Sequence, residues 1–426
     1  MTARLTQSAR WPVDKLGRWT TITNGSTPRR DDERYWVGGR FPWLNSAVVN
    51  RESVTTADQF VTATAMSECH LPVVEPGSLV VALTGQGKTR GMATIVQIRC
   101  TINQHLACIA PSSTHWDSRY LLWSLRSAYQ KLRATSDETG ATKGGLTIEA
   151  LQRHLLPMPP LGEQRRIADF LDYETSRIDA LIAKQEQLIE TLRERRQAVL
   201  DTEFEAVGAK RVQLRRGIRF LTSGSRGWGD YYADEGERFL RIGNLPRTNL
   251  VLRGDVQYIQ LPPGVTEGSR TRLRGDDLLF SITAYLGSVA VVTDEWIGAY
   301  VSQHVALCRL DPSMFNSKVV GYFMLTTEGQ DQLKLGAAGG TKLQLALDDI
   351  KALSVPLVPL DTQGKIVASI EVQMSRIDAL IAKAEELIGL ARERRVALIT
   401  EAVTGRIDVS TGKAREGVWA DGGCDA

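Results

Sequence analysis

Two kinds of apolar pattern alternate along this chain, and each occurs twice. Short continuous apolar runs come first. Residues 79–84 and 93–98 read as buried strands parted by a polar turn at 85–91; residues 277–283 and 288–293 read the same way around 284–287. A shorter helical stretch follows each pair, near 118–133 and 317–335. Beyond the proline-rich segments 157–161 and 356–360 the period lengthens. Ile167, Leu171, Ile178, Leu181, Leu188, Leu192 and Val199 recur at three- and four-residue steps, as do Ile366, Ile370, Ile377, Leu380, Leu387 and Leu398. That spacing predicts two proline-free helices with coiled-coil seams, each about 40 residues or roughly 60 Å long.

The two sets are copies. The nonapeptide SRIDALIAK stands at 176–184 and again at 375–383, displaced by 199 residues. The same displacement carries Gly25-Ser26 onto Gly224-Ser225, Gln104-His105 onto Gln303-His304, Thr142-Lys143 onto Thr341-Lys342, and Arg193–Arg196 onto Arg392–Arg395. The expected organisation is a β-rich domain at 1–156, a long helix at 157–207, a second β-rich domain at 208–355, a second long helix at 356–409 and a flexible tail at 410–426. A lone helix cannot hide its apolar stripe, so the two long helices are expected to pack on each other. The seam does not fix their direction; antiparallel packing would place the β-rich domains at opposite ends. The fold class is therefore α+β, two mixed domains and an antiparallel coiled coil in a pseudo-twofold repeat. The plainer alternative is that each helix packs on its own domain.

Composition narrows the class. The chain has 426 residues, 42% hydrophobic and 24% charged, and no apolar run approaches the length of a membrane span. Neither a secretory leader nor a membrane partner is expected. Five cysteines without a Cys-x-x-Cys pair suit free thiols in a reducing cytoplasm. The net charge of +3 is uninformative as a total, but its distribution is uneven. From Arg215 to Arg274 there are eleven arginines, no lysine and six acids, a local excess of 11 − 6 = +5, interleaved with Trp228, Tyr231, Tyr232 and Tyr258. Arginine without lysine suits bidentate recognition of phosphate or guanine edges, against the alternative of a merely solvated surface.

Few motifs point to catalysis. Gly85-Gln86-Gly87-Lys88-Thr89 resembles the end of a phosphate loop, but its first required glycine is Ala82 and the second copy lacks the lysine. Lys88, Thr89 and Arg90 read better as a loop reaching toward nucleic acid. The paired loops holding Thr142 and Lys143, and Thr341 and Lys342, combine small residues with a hydroxyl and a cation, which suits phosphate contact. His105 and His304 recur in register at a strand start and are expected to make structural hydrogen bonds. Cys69-His70 has no second half, so no metal site is expected.

The doubled order of β-rich domain, Thr-Lys loop, prolines and Leu161-Gly162-Glu163-Gln164-Arg165-Arg166-Ile167 helix resembles the specificity subunits of type I restriction–modification systems. Residues 157–167 with 176–196 match the first helical region of that family. Residues 356–366 with 375–395, ending in Glu401–Ile407, match the second, with Asp361-Thr362-Gln363 replacing Gly-Glu-Gln. Thr23–Pro28 with Trp36 and Pro42-Trp43, and Ser223–Trp228 with Arg241–Asn244, resemble the openings of target-recognition domains. The resemblance implies a subunit without catalysis of its own, each domain reading one half of a split asymmetric site in double-stranded DNA. It also implies two docked methylation subunits that bring S-adenosylmethionine for adenine N6 methylation, sometimes joined by motor-nuclease restriction subunits. Candidate DNA contacts are Arg29, Arg30, Trp36, Lys88, Thr89, Arg90, Thr142 and Lys143 in the first copy. In the second they are Arg226, Trp228, Tyr231, Arg241, Asn244, Thr341 and Lys342. The seam residues, Ile167 to Leu192 and Ile366 to Leu387, are candidates for the coiled coil and for docking. Alternatives are a related multi-subunit restriction system, a coiled-coil scaffold that binds no DNA, or an enzyme using residues 85–89.

Overall fold

The computed structural model describes residues 10–85, 87–137, 145–262, 264, 268–337 and 344–414. The chain divides into two compact units, one comprising 1–184 with 387–426 and the other 185–386. Each therefore holds one β-rich domain and a half of both long helices.

In the first unit, strands Thr20–Asn24, Leu106–Pro111, Leu79–Ala82, Ala93–Val96 and Ser53–Val54 form one sheet in that order. It is antiparallel except at its last pairing, Ser53–Val54 with Ala93–Val96. The two central runs are buried throughout, as continuous apolar strands must be. A smaller sheet joins Gln59–Val61, Phe41–Leu44 and Thr101–Ile102. Val13–Lys15 pairs antiparallel with Leu155–Pro157, closing the domain just before the helix begins.

The second unit repeats this with named differences. Its main sheet has the order Ile218–Ser223, Val305–Leu310, Leu278–Ser281, Val289–Val291. Thr23 faces Cys108 in one unit and Thr222 faces Leu307 in the other; Leu79 faces Ile109 and Leu278 faces Cys308. Those pairings keep the 199-residue displacement. The next one does not: Leu79 faces Ile95 but Leu278 faces Val291, because the turn at 284–287 is shorter than that at 85–91. The second sheet is four-stranded, adding Tyr232–Ala233 beside Gln257–Ile259, Glu237–Leu240 and Tyr300–Val301. Arg211–Gln213 pairs with Ser354–Pro356 as the closing ribbon.

The expected helical stretches are each broken once, into Ser118–Ser127 and Tyr129–Asp137, and into Ser317–Met324 and Thr327–Ala337. Asp117 and Asn316 cap them, accepting from the first-turn amides Arg119 and Lys318.

The long helices span Leu161–Val207 and Leu360–Thr404. Gln164, fully buried, fixes the start of the first. It accepts from the Asp117 amide (2.9 Å) and donates to the carbonyls of His115 (2.8 Å) and Pro159 (2.9 Å). Gln363 repeats this in the second unit with the Asn316 amide (2.7 Å) and the carbonyls of Met314 and Val358 (both 2.8 Å). These bonds explain why the second copy keeps Gln363 while losing the Gly-Glu before it.

Within each unit the helix halves run antiparallel and share the domain core. Ile167, Ala168 and Leu171 pack with Ile399, Ala402 and Val403 in the first unit. Leu200 and Phe204 pack with Ile366, Val367, Ile370 and Met374 in the second. The buried seam departs from the sequence expectation at four places. Ile178, Leu192 and Ile377 are buried, but Leu181, Leu188, Leu380 and Leu387 are 43–51% exposed. Burial falls instead on Ile189, Ala384, Ile388 and Ala391, with Ile182, Gln185 and Ile381 partly covered. Leu-Ile pairs stand side by side at 181–182, 188–189, 380–381 and 387–388, and a periodic pattern alone does not say which member faces inward.

The segment past Val409 begins with a short ribbon, Lys413–Ala414 against Ile407–Asp408. Among the described residues no helix is long and apolar enough to cross a membrane.

Candidate nucleic-acid interface

In the first unit, the loop after Thr20–Asn24 carries a cation on an aromatic platform. The Arg30 guanidinium lies 4.1 Å from the Trp36 ring centroid and 4.8 Å from that of Trp43, and it donates to Gln59 Oε1 (3.0 Å). Trp36 meets Trp43 edge-on at 5.3 Å, and its indole N–H donates to the Arg29 carbonyl (2.9 Å). Trp36 therefore braces the loop and orients Arg30, an arrangement suited to a planar anionic or base-edge partner. Arg29 is tied at the surface to Asp31 (2.9 Å), whose hydrogen bond raises the guanidinium above its ordinary value and lowers the carboxyl.

The 85–91 turn presents Lys88 to solvent while its backbone is held from below. Tyr129 Oη donates to the Lys88 carbonyl (2.7 Å), and Arg133 donates to that of Gly87. Thr89 is half-buried. Arg90 departs from the expectation of an exposed contact: it is only 8% exposed.

In the second unit Arg226 is exposed, and Arg241 and Tyr231 are half-buried. Two other candidates lie inside the fold. Trp228 is 3% exposed, stacked on Phe239 (5.8 Å) and edge-on to Tyr300 (5.0 Å) and Tyr231 (6.3 Å), the centre of a small aromatic core. Asn244 is also 3% exposed. It accepts from the Arg241 amide (2.9 Å) and donates to the carbonyls of Arg253 (3.0 Å) and Asp255 (3.1 Å). It satisfies backbone groups in a tight loop and has no donor left for a base. Arg241 is held by this loop at its backbone.

Part of the arginine excess is taken up by partners within the unit. Arg219 pairs with Asp311 (2.9 Å), and Arg272 with Glu237 (2.9 Å) and the Tyr300 hydroxyl (3.0 Å). Arg238 donates to the Glu295 carbonyl. Arg247 lies over the ring of Tyr285 (4.8 Å), which is 55% exposed on a backbone with φ +58°. A tyrosine there is strained, and such strain marks positions held by their surroundings for use. The pair edges a cavity of about 590 Å³ lined also by Thr283, Gly287, Gln330 and Gln344. The sequence signal was faint: an aromatic in a short turn opposite the Lys88 turn of the first copy. Thr142, Lys143, Thr341 and Lys342 lie outside the described residues.

Each unit thus offers an exposed cation set on its own aromatic support, Arg30 on Trp36 and Trp43 in one and Arg247 on Tyr285 in the other. The sequence pattern described as the type I restriction modification DNA specificity domain matches residues 10–191 and 243–388. The EcoKI specificity subunit of Escherichia coli K12 is 22% identical, over 93% of this chain and 89% of its own length. The EcoBI specificity subunit of E. coli is 22% identical over 72% and 69%. The match to the EcoR124I/EcoR124II specificity subunit, at 20% identity, spans 38% of this chain and 39% of that protein. Among solved structures, one described as the basis of complex assembly and conformational transition of the type I R-M system superposes with a TM-score of 0.71. It is 17% identical and covers 93% of this chain and 98% of that one. The HsdS subunit from Thermoanaerobacter tengcongensis gives 0.57 at 17% identity, over 93% and 97%. A β-rich domain built twice, each clamped by a buried glutamine to a long helix, is thus joined to a pattern covering most of the chain: this protein belongs to the type I restriction–modification DNA specificity family.

Proposed function

We propose that each unit reads one half of a split, asymmetric duplex DNA site, and that the chain does no chemistry itself. The observation that carries this reading is one scaffold used twice with different exposed loops. Sheet pairings and glutamine clamps repeat in register, whereas Lys88 on its turn is replaced by Tyr285 with Arg247, and the Arg30–Trp36–Trp43 platform by Arg226 and Arg241. Shared scaffold with divergent loops is what two readers of different bases require. In this reading two methylation subunits dock along the helices and bring S-adenosylmethionine, motor-nuclease subunits join them where the system also restricts, and the complex works in the cytoplasm.

The test is co-expression with the neighbouring methylation gene and genome-wide mapping of N6-methyladenine. A split motif that disappears when this chain is deleted supports the reading. Unchanged methylation, with no co-purification of a methylation subunit, overturns it in favour of a scaffold that binds no DNA. At residue level, Arg241→Ala should cost about 1–3 kcal/mol and relax one base position if the guanidinium reads a guanine edge. Lys88→Ala should weaken all duplexes alike and lower the salt slope by about one.

A further inference from the structure

One exposed constellation occurs in both units, in register, and has no part in the cores. In the first, Thr84 Oγ1 lies 2.9 Å from His105 Nδ1, and Gln104 Nε2 lies 3.4 Å from His105 Nε2. In the second, Thr283 Oγ1 lies 3.1 Å from His304 Nδ1, and Gln303 Nε2 lies 3.1 Å from His304 Nε2. Both histidines are exposed and both threonines half-buried.

The hydrogen bonds have a direction. In the first unit the Thr27 hydroxyl donates to Gln104 Oε1, which turns the amide N–H₂ toward the imidazole. Nε2 then accepts, Nδ1 carries the proton and donates to Thr84 Oγ1, and the Thr84 hydroxyl hydrogen is left to point outward. In the second unit the same atoms face one another, Gln303 Nε2 with His304 Nε2 and His304 Nδ1 with Thr283 Oγ1, and an amide that donates there gives the same order. Each string ends in an oriented donor that needs an acceptor from outside.

Fold maintenance does not account for it. The strand contact at these positions is made by backbone, Leu83 N–H to the His105 carbonyl (2.9 Å) and Ile282 N–H to that of His304 (3.0 Å). Hydrogen bonds among exposed side chains add little to stability, since water competes for each group and ordering them costs entropy. Base discrimination does not account for it either, because the neighbouring turns, 85–91 and 284–287, differ in length and sequence while the triad is unchanged. What two different half-sites have in common is the sugar–phosphate backbone.

We infer that Thr84–His105–Gln104 and Thr283–His304–Gln303 are paired phosphate clamps, each donating a neutral hydrogen bond to one phosphodiester oxygen and fixing the height of its domain over the duplex. This rests on the DNA-reading function proposed above. Phosphate contacts position a protein on DNA without carrying sequence information, which suits a feature kept in both copies.

The test uses the full chain with its methylation partner, on a duplex holding the mapped site and one of equal length lacking it. Thr84→Val and Thr283→Val keep side-chain shape and remove the hydroxyl, which is both the outward donor and the acceptor of the imidazole N–H; His105→Ala and His304→Ala remove the string. Each is expected to weaken binding about three- to tenfold, equally on both duplexes. Plots of affinity against salt should stay parallel to the parent's, since no charge is lost, and the methylated motif should be unchanged. Unchanged affinity on both duplexes, or a motif relaxed at one base, overturns the clamp. If the parent complex itself shows no preference for the mapped site, it is the DNA-reading function that has failed.

Discussion

Asp179 accepts two hydrogen bonds from Arg395, 2.9 Å from Nε and 3.2 Å from Nη2, where the two helix halves of the first unit meet. In the second unit the counterpart is Arg196 with Asp378. Displacement by 199 residues turns one pair into the other, Asp179 into Asp378 and Arg196 into Arg395. One ancestral helix carrying both residues would thus have satisfied itself against a second copy. A fragment of residues 1–207 should accordingly dimerise through its helix, pairing Asp179 of one copy with Arg196 of the other. Asp179→Arg should shift the fragment toward monomer in sedimentation, and the double variant Asp179→Arg with Arg196→Asp should restore the dimer. In the intact chain, where the side chains are 14–52% exposed, neutralising one pair should cost only about 0.5–1 kcal/mol. A fragment that stays monomeric at high concentration would refute the scheme.

Gln164 and Gln363 should matter far more than their neutrality suggests. Each ends three hydrogen bonds in a site without water access, so Gln164→Ala leaves the Asp117 amide and the carbonyls of His115 and Pro159 without that partner. The expected loss is about 2–4 kcal/mol in denaturant unfolding, matched by Gln363→Ala. Glu163→Ala nearby should be nearly neutral, because the second copy has Thr362 at that place.

Gly25 and Gly224 test a different kind of repetition. A Cβ at Gly25 would collide with the Ile102 carbonyl and one at Gly224 with that of Val301, where the Ser26 and Ser225 amides donate to the same oxygens (3.1 and 3.2 Å). The Gly-Ser pair is retained because two backbones touch there. Gly25→Ala and Gly224→Ala should each destabilise by about 1–3 kcal/mol or more, in thermal melts, without altering the methylated motif in whatever protein remains folded.

Much of this architecture was legible because it is written twice. Strands at 79–82 and 278–281 and the two long helices follow from apolar period and from the repeat, and the pairing of the helices from there being one partner for each stripe, whereas the seam left their direction open. Residue type was a weaker guide at the interface. Trp228 and Asn244 look like contacts because aromatics and amides in an arginine-rich loop often are, yet one fills a core and the other satisfies carbonyls. Residue type does not separate those uses: Trp228 packs on Phe239 and Tyr300, the second distant in sequence, and Asn244 bonds backbone groups whose positions are set by the folded loop 241–255. The Leu-Ile pairs failed for a similar reason: choosing between Leu181 and Ile182 takes the rotation of the helix, which its partner sets.

The pair Asp277–Arg309 shows where the copies diverge inside the core. Arg309 donates to both carboxylate oxygens (2.9 and 3.2 Å) and to the Arg272 carbonyl (2.6 Å), and Asp277 also accepts from the Arg274 amide (2.8 Å). The carboxylate is 2% exposed, and burial outweighs these bonds, holding it above its ordinary range. The folded chain therefore binds this proton more tightly than the unfolded chain. The contribution of Asp277 to stability is greatest in acid, falls as pH rises from about 3.9 through the raised value, and is flat beyond it. The first unit does without the pair, with Ser78 and Ala110 at the corresponding positions. Asp277→Ser alone strands a largely buried guanidinium and should cost about 3 kcal/mol. Adding Arg309→Ala should return much of that loss and abolish the acid-side slope, because the double variant rebuilds the solution the first unit already uses. If urea midpoints show the double variant worse than Asp277→Ser by the full cost of a second lesion, the two residues act independently and the pairing is incidental.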